Sequence, residues 1–280
     1  MSKVAVVFWS ATGNTETMAN CVAEGANGTI VPCSEMNAAK LAEFDAVAFG
    51  CPAMGAEQLE ESEFEPMFSA CESSLSDKKI ALSFDASWGA DKTLSILETL
   101  ERYDIKANFF AVGFWAEKYS DTLKKLSDSG RMEIGTHSNT HPHMPKLSKS
   151  QMELELDSSV KIIEEITGKK PDLFRAPFGD YNDALIETAT EKGLYTIQWD
   201  VDTLDWKGLK AGEMAARVLK KAQNGSIVLM HNDGEHTVEA LPLIIEGLKN
   251  KGYSFVTIGE LIYRDNYSID HTGKQIRIEG

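Results

Sequence analysis

Two histidines four residues apart are the clearest candidates for chemistry in this sequence. His137 and His141 enclose Ser138-Asn139-Thr140. On a helical turn, side chains at i and i+4 face the same way, so the two imidazoles could share a divalent ion. His143 follows at once and is either a competing ligand or a structural residue. Taken alone, the pair is also typical of structural histidines.

Acid–base groups suited to work beside such an ion occur elsewhere in the chain. Asp85 could act as a general base toward a metal-activated water, or it could simply cap a helix. His231 ends the apolar run 227–230 and could protonate a leaving amine, or it could be a capping or core histidine. These two residues are therefore candidates for the base and the acid of a hydrolytic reaction.

Two further charged positions could tune that pair. Arg175, in a Phe-Arg-Ala-Pro-Phe-Gly run, could hold Asp85 ionised, or it could form an ordinary ion pair. Asp202 and Asp205 offer a carboxylate for His231 or Arg175. The adjacent Trp206 offers an indole for a pocket wall, the alternative being a turn with a packed tryptophan.

Strand-like and helix-like segments alternate along the chain and would position these groups. Seven strand candidates follow residue 78, at 80–84, 107–112, 133–136, 173–176, 196–199, 226–230 and 254–257. Strands separated by helices predict a parallel α/β sheet, either open or closed into a barrel. A barrel has its active site at the carboxyl ends of the strands, which is where the candidate residues lie.

Composition limits the classes of function. The net charge of −15 argues against a nucleic-acid partner, because phosphate contacts need lysine and arginine. The apolar run 4–9 is too short for a signal core or a membrane span, so the sequence predicts no membrane span and a cytoplasmic protein. All four cysteines precede residue 72 and all six histidines follow residue 136, which favours two modules joined near 71–77.

The motifs SFD, HSNTH, RAPFG, DTLDW and LMH, in this order, resemble those of the polysaccharide deacetylases of carbohydrate esterase family four, the NodB-like enzymes. The resemblance covers residues 78 to about 262, and its phrases are most similar to the sporulation-associated branch. It implies a distorted (β/α) barrel of about seven strands. It also implies a metal-dependent hydrolase that removes N-acetyl groups from peptidoglycan or a chitin-like amino-sugar polymer.

The resemblance also implies roles for individual residues. It assigns a zinc-like ion to His137 and His141, the general base to Asp85 and its orientation to Arg175. His231 would be the general acid, tuned by Asp205. The substrate pocket would be formed by four residues, with the Phe178 backbone N–H stabilising the oxyanion: Trp88, Phe178, Trp206 and Leu229.

One position departs from the family pattern. Most members have two consecutive aspartates in the first motif, and the second is the third metal ligand; here that position is Ala86. Two histidines alone form a weak site. Either Asp91 or water molecules would have to complete the shell.

The first 77 residues carry a different pair of loops. WSATGNTE follows a strand and opens a helix, where backbone N–H groups can bind a phosphate, or where the loop simply caps the helix. GCPAMGAEQLEESEFEP follows the next clear strand. Both loops resemble short-chain clostridial flavodoxins, over residues 2–77. The resemblance implies FMN phosphate contacts at Ser10, Thr12, Gly13, Asn14 and Thr15, and ring contacts at Met54, Gly55 and Glu57.

The sequence thus predicts a partial flavodoxin-like segment, 1–77, followed by a deacetylase domain, 78–280. Three functions compete: a deacetylase of N-acetylated polysaccharide, an FMN electron-transfer protein fused to a weak barrel, and a non-catalytic sugar-binding barrel. The predicted cytoplasmic location conflicts with a cell-wall substrate.

Overall fold

The computed structural model of this chain describes residues 3–52, 58–75, 78–270 and 272–278. It divides into two compact units, Met1–Asp77 (unit 1) and Lys78–Gly280 (unit 2), each with its own apolar core. All four cysteines are free thiols. Within the described ranges, no helix has the length and apolarity needed to cross a membrane.

Unit 1 is a small parallel sheet with helical connections. Its strands lie in the order β2-β1-β3: β1 (Val4–Phe8), β2 (Thr29–Ile30) and β3 (Ala46–Gly50). Its helices are α1 (Asn14–Ala26), α2 (Ala38–Leu41) and α3 (Phe64–Leu75). The central strand β1 is an unbroken apolar run because a parallel strand between two neighbours is buried on both faces.

Unit 2 alternates strands and helices. Its parallel strands are β4 (Lys78–Ala86), β5 (Ala107–Ala111), β6 (Met132–Thr136), β7 (Leu173–Phe174), β8 (Tyr195–Thr196), β9 (Val201–Asp202), β10 (Ser226–His231) and β11 (Tyr253–Phe255). Its helices are α4 (Thr93–Tyr103), α5 (Gly113–Lys118), α6 (Ser120–Asp128), α7 (Lys149–Thr167), α8 (Asp183–Glu191), α9 (Ala211–Lys221), α10 (Thr237–Asn250) and α11 (Ile258–Leu261). An antiparallel hairpin, β12 (Tyr267–Ile269) and β13 (Gln275–Arg277), follows.

The strand order shows why this sheet must curl. The order is β8-β7-β6-β5-β4-β10-β9, and β11 pairs with the start of β4. The end strands β8 and β9 are nevertheless consecutive in the chain, with only 197–200 between them. Five Cα steps reach at most about 18 Å, whereas seven flat strands would span about 29 Å. The sheet is therefore curled into an open barrel, as the predicted fold class requires.

Strand β4 is the centre of this barrel. Its last seven residues are all buried, and it pairs with β10 on one side and with β5 and β11 on the other. Alternate residues face opposite sides. Leu82 and Phe84 pack against apolar residues of the surrounding helices, in the main core cluster of unit 2. Ser83 and Asp85 face the barrel interior. The alternation thus delivers a carboxylate to the inside of the barrel at the carboxyl end of a rigid strand.

The predicted strands are mostly present, with shifted ends. The run expected at 196–199 is a strand only at Tyr195–Thr196, and β9 was not predicted. Asp202 therefore lies in β9, a strand absent from the predicted set, and Asp205 follows it. A strand of two residues is too short to show a periodic pattern, so β9 leaves no signal in the sequence. The terminal hairpin was not predicted either.

Candidate active site

A buried ion pair lies inside the barrel at the end of β4. Arg175 directly follows β7, and its Nη1 donates to Asp85 Oδ1 at 2.8 Å and to Ser83 Oγ at 2.9 Å. Arg175 is fully buried and Asp85 nearly so. The guanidinium also lies over the ring of Phe110, 4.2 Å from its centroid. These contacts fix the orientation of the Asp85 carboxylate.

The two candidate metal ligands lie beside this carboxylate. His137 Nε2 is 3.7 Å from Asp85 Oδ2, and the rings of His137 and His141 are 5.0 Å apart. His137 Nδ1 is 2.8 Å from the Arg175 carbonyl oxygen. A carbonyl can only accept, so Nδ1 carries the proton and Nε2 keeps a lone pair directed toward the site.

The local conformation of this histidine pair differs from the prediction. Residues 137–141 form a loop and not a helical turn, and Ser138 and His141 have positive φ angles of 66° and 61°. The imidazoles nevertheless meet, because the left-handed residues turn the loop back on itself. The expected proximity is therefore present, but the helical reason for it was wrong.

Two neighbouring helices hold this loop. The backbone N–H groups of Gly113 and Phe114, at the start of α5, donate to the carbonyls of Ser138 and Asn139. On α7, the Glu155 carboxylate accepts three hydrogen bonds from the loop, two from the N–H groups of Asn139 and Thr140 and one from the Thr140 hydroxyl. A Cβ at position 113 would lie 2.1 Å from the Asn139 side chain, so a larger residue there would displace that side chain.

A second buried carboxylate supports the candidate acid. His231 is the last residue of β10 and pairs in register with Asp85 of β4. Its Nδ1 lies 2.8 Å from Asp205 Oδ1. Asp205 also accepts from the His231 N–H, the Trp206 N–H and the Thr237 hydroxyl. The carboxylate is therefore fixed, and it keeps the His231 proton on Nδ1 when the ring is neutral.

Burial and neighbouring charges set the protonation states. Burial would raise the pKa of Asp85, but the charge of Arg175 and the nearby histidines outweigh it, so the pKa lies below its usual value. Burial lowers the pKa of His137, and burial and the charge of His137 lower the pKa of His141 to about 4. Burial would also lower the pKa of His231, but its bond to Asp205 outweighs burial and raises it. The site thus favours the ionised form of the Asp85 carboxylate, the neutral forms of His137 and His141 and the protonated form of His231.

The predicted pocket residues surround these groups. Leu229 is buried and pairs in register with Ser83, so it lies on the interior face. Three exposed aromatics lie further out: Trp88, Phe178 and Trp206. Trp88 and Phe178 both meet the His141 ring edge-on, at centroid distances of 5.3 and 4.6 Å. The arrangement is an apolar mouth above a polar floor.

The donor set fits a divalent ion only in part. Two imidazoles with available nitrogens are present, but no group of three His, Cys, Asp or Glu able to hold a metal occurs among the described residues. Ala86 supplies no donor and is fully buried. Asp91, the substitute considered above, lies on an exposed turn. The geometry fits an ion held by His137 and His141 with water completing its shell, and does not fit a closed zinc site.

In unit 1, the predicted phosphate loop joins β1 to α1. Ser10 Oγ accepts the Gly13 N–H at 3.0 Å, and Gly13, with φ of 83°, precedes the first turn of α1. Thr12 lies in this loop, and Asn14 and Thr15 begin the helix. The predicted ring contacts Met54, Gly55 and Glu57 lie outside the described residues. The fit to FMN therefore rests on the phosphate half of the site alone.

Comparison with known proteins identifies the family of this chain. The polysaccharide deacetylase family model matches residues 72–197. A peptidoglycan-N-acetylglucosamine deacetylase of Bacillus cereus is 36% identical over 191 residues, which cover 66% of this chain and 89% of that protein. The chain belongs to the polysaccharide deacetylase family. The flavodoxin family model also matches, over residues 6–120, and overlaps the deacetylase match across β4.

Two further relatives of this deacetylase-family chain extend the comparison. The uncharacterized protein YlxY of Bacillus subtilis is 36% identical over 183 residues, 65% of this chain and 57% of that protein. A crystal structure of a CE4 family pseudoenzyme from Bacillus anthracis is 36% identical, with a TM-score of 0.64, and covers 66% of this chain and 65% of that one. The chain spans less than two thirds of the length of both proteins.

The sequence analysis missed several supporting residues of the site. Ser83, Glu155 and Thr237 hydrogen-bond to Arg175, the histidine loop and Asp205, respectively. Gly234 approaches Asp205 so closely that a Cβ would lie 2.8 Å from its carboxylate. Ser83 was detectable, because it stands two residues before Asp85 on the same face of a strand. The others are distant in sequence and belong to no motif, so only the fold reveals them.

Proposed function

We propose that unit 2 hydrolyses the N-acetyl group of amino sugars in peptidoglycan or a related polymer. One observation carries the proposal. The Asp85 carboxylate bonds to the buried Arg175, and its Oδ2 lies 3.7 Å from His137 Nε2. Asp85 also pairs in register with His231 on the adjacent strand. A base and a proton donor on neighbouring strands suit the cleavage of an amide across the barrel mouth.

Asp85, Phe178 and His231 each have one role in the proposed hydrolysis. Asp85 takes a proton from water as the water oxygen bonds to the acetyl carbon. The Phe178 N–H stabilises the negative charge that develops on the carbonyl oxygen. His231 gives a proton to the nitrogen as the C–N bond breaks, which releases acetate and a free amine. A divalent ion at His137 and His141 would polarise the carbonyl and acidify the water.

The relatives support this choice of substrate. Several carry names as deacetylases of peptidoglycan N-acetylglucosamine or N-acetylmuramic acid, from Bacillus and Listeria. The exposed aromatics Trp88, Phe178 and Trp206 support it as well. Aromatic faces present large, rigid apolar area to a ligand at low entropy loss.

Acetate release from peptidoglycan and chitooligosaccharide tests the proposal. Asp85→Asn removes the base and His137→Ala removes a ligand, and each should lower the rate by about 100-fold or more. Asp128→Asn is the matched control, because Asp128 pairs with Lys124 on the exposed side of α6 and contacts none of the site residues. Rates equal to wild type in both site variants would rule out this mechanism.

A non-catalytic sugar-binding barrel is the second candidate, favoured by Ala86 and by the relative described as a pseudoenzyme. The variant Ala86→Asp distinguishes a deacetylase from a non-catalytic sugar-binding barrel. If the barrel is non-catalytic, the wild-type protein releases no acetate and holds no metal but binds chitooligosaccharide, and Ala86→Asp gains metal. Because position 86 is fully buried, folding of the variant is checked by circular dichroism. Acetate release by wild type would eliminate this candidate.

We propose FMN as a ligand of unit 1, on the basis of the Ser10–Gly13 turn and the flavodoxin family match. The protein should then purify yellow, or quench the fluorescence of added FMN. Ser10→Ala should weaken the quenching, whereas Ser69→Ala, at an exposed position of α3, should not. Colourless protein that leaves FMN fluorescence unchanged would end this proposal.

A further inference from the structure

Two loops of unit 2 meet around the ring of Phe178. The His143 ring stacks on it, with centroids 4.2 Å apart and planes inclined by 19°. The His141 ring meets it edge-on at 4.6 Å. His143 Nδ1 also lies 2.6 Å from Asp180 Oδ2, two residues beyond Phe178. The segment 141–143 thus holds both the ring and the loop that carries it.

The backbone of Phe178 needs this support. Its φ and ψ are 62° and 2°, a left-handed conformation that residues with a Cβ rarely adopt. Hydrogen bonds from Gly179 N–H to Ala176 O and from Gln198 Nε2 to Gly179 O fix the turn from within. His143, which stacks on Phe178 and bonds to Asp180, adds a restraint from the opposite loop. A conformation of this kind persists only where its surroundings over-determine it.

The Phe178 N–H is left available by this conformation. It makes no hydrogen bond to any other residue in the described part of unit 2. An unpaired backbone N–H at the mouth of a site can bind a ligand oxygen. Its direction depends on the φ and ψ of Phe178, so whatever fixes these angles also aims the donor.

We propose that His143 is a positioning residue for the Phe178 N–H. Its stack on Phe178 and its bond to Asp180 hold the strained backbone in the orientation that presents the donor to the oxyanion. The kinetic part of this inference rests on the proposed deacetylase function, whereas the structural part does not. In this role His143 acts on the reaction through Phe178.

Nuclear magnetic resonance of the Phe178 ring tests the structural part without activity. Stacking by an aromatic neighbour should shift the Phe178 ring protons upfield, and Phe178→Leu identifies their signals. We expect His143→Ala to abolish the shift and His143→Phe, which keeps an aromatic ring, to retain most of it. Identical ring shifts in wild type and His143→Ala would overturn the proposal, whether or not the protein is active.

Kinetics tests the effect on the reaction. We expect His143→Ala to lower kcat about tenfold with KM and metal content unchanged, because the oxyanion donor acts mainly in the transition state. His143→Phe should recover part of kcat. An unchanged kcat, or a rise in KM alone, would overturn the positioning role. If wild type itself releases no acetate, the proposed deacetylase function fails, and the ring shifts alone decide the role of His143.

Discussion

At the residue scale, the site combines two buried carboxylates with opposite tasks. Asp85 is held ionised by Arg175, and Asp205 holds a proton on His231. Both carboxylates are almost fully buried, where an unpaired charge would be unstable. Their partners shift the pKa of Asp85 down and that of His231 up. The separation of these two pKa values supports the proposed roles of Asp85 as the base and His231 as the acid.

The pH dependence of activity should respond to Asp205. His231 must be protonated to donate, and Asp205 raises its pKa, so activity should extend toward higher pH. In Asp205→Asn, the pKa of His231 falls, and the alkaline limb of kcat/KM should move to lower pH by about one unit or more. Asp202→Asn is the control, since Asp202 acts on His231 only at longer range. An alkaline limb that stays in place in Asp205→Asn would show that His231 is not the acid.

At the element scale, strands present the proposed acid and base, and a loop presents the two candidate metal ligands. Asp85 and His231 lie on paired strands, whose geometry hydrogen bonds determine. His137 and His141 belong to a loop that depends on contacts from α5 and α7. The loop is therefore the part of the site that substitutions outside it should disturb most.

Removing the Glu155 carboxylate should loosen this loop. Glu155→Ala leaves three donors of Asn139 and Thr140 without their acceptor. We expect faster amide hydrogen exchange at these residues and about a tenfold loss of metal affinity or rate, the usual effect of removing an outer support of a metal ligand. Glu164→Ala, on the exposed face of the same helix, is the matched control. Unchanged exchange at Asn139 would show that α5 alone holds the loop.

At the scale of the whole molecule, strand β4 is matched by two families. The flavodoxin and deacetylase matches overlap between residues 72 and 120. The structure pairs β4 with β5, β10 and β11, all in unit 2. A strand with neighbours on both sides and seven consecutive buried residues is an interior barrel strand.

Unit 2 should therefore fold without unit 1. A chain of residues 78–280 retains every strand partner of β4 and the whole cluster that contains Leu82 and Phe84. We expect a cooperative thermal transition by circular dichroism and the same acetate release as the full chain. An unfolded or inactive fragment, with the full chain active, would show that residues 1–77 are part of the deacetylase fold.

The sequence alone determined the chemical types and their order. Buried parallel strands appear as apolar runs, and their carboxyl ends meet at one rim, so a polar residue after such a run is predictably near the others. Asp85, His137, Arg175 and His231 were all found in this way, and the family and fold class they predicted are confirmed. Their individual roles stay predictions.

Only the tertiary structure decided which of these residues touch. Asp85 and Arg175 are 90 positions apart, at the ends of strands β4 and β7, and they meet because the curled sheet directs both side chains into the barrel interior. The left-handed turns at Ser138 and His141 and the stack of His143 on Phe178 are likewise invisible in the sequence. Spacing along the chain constrains only local geometry, whereas these contacts depend on the packing of segments distant in sequence.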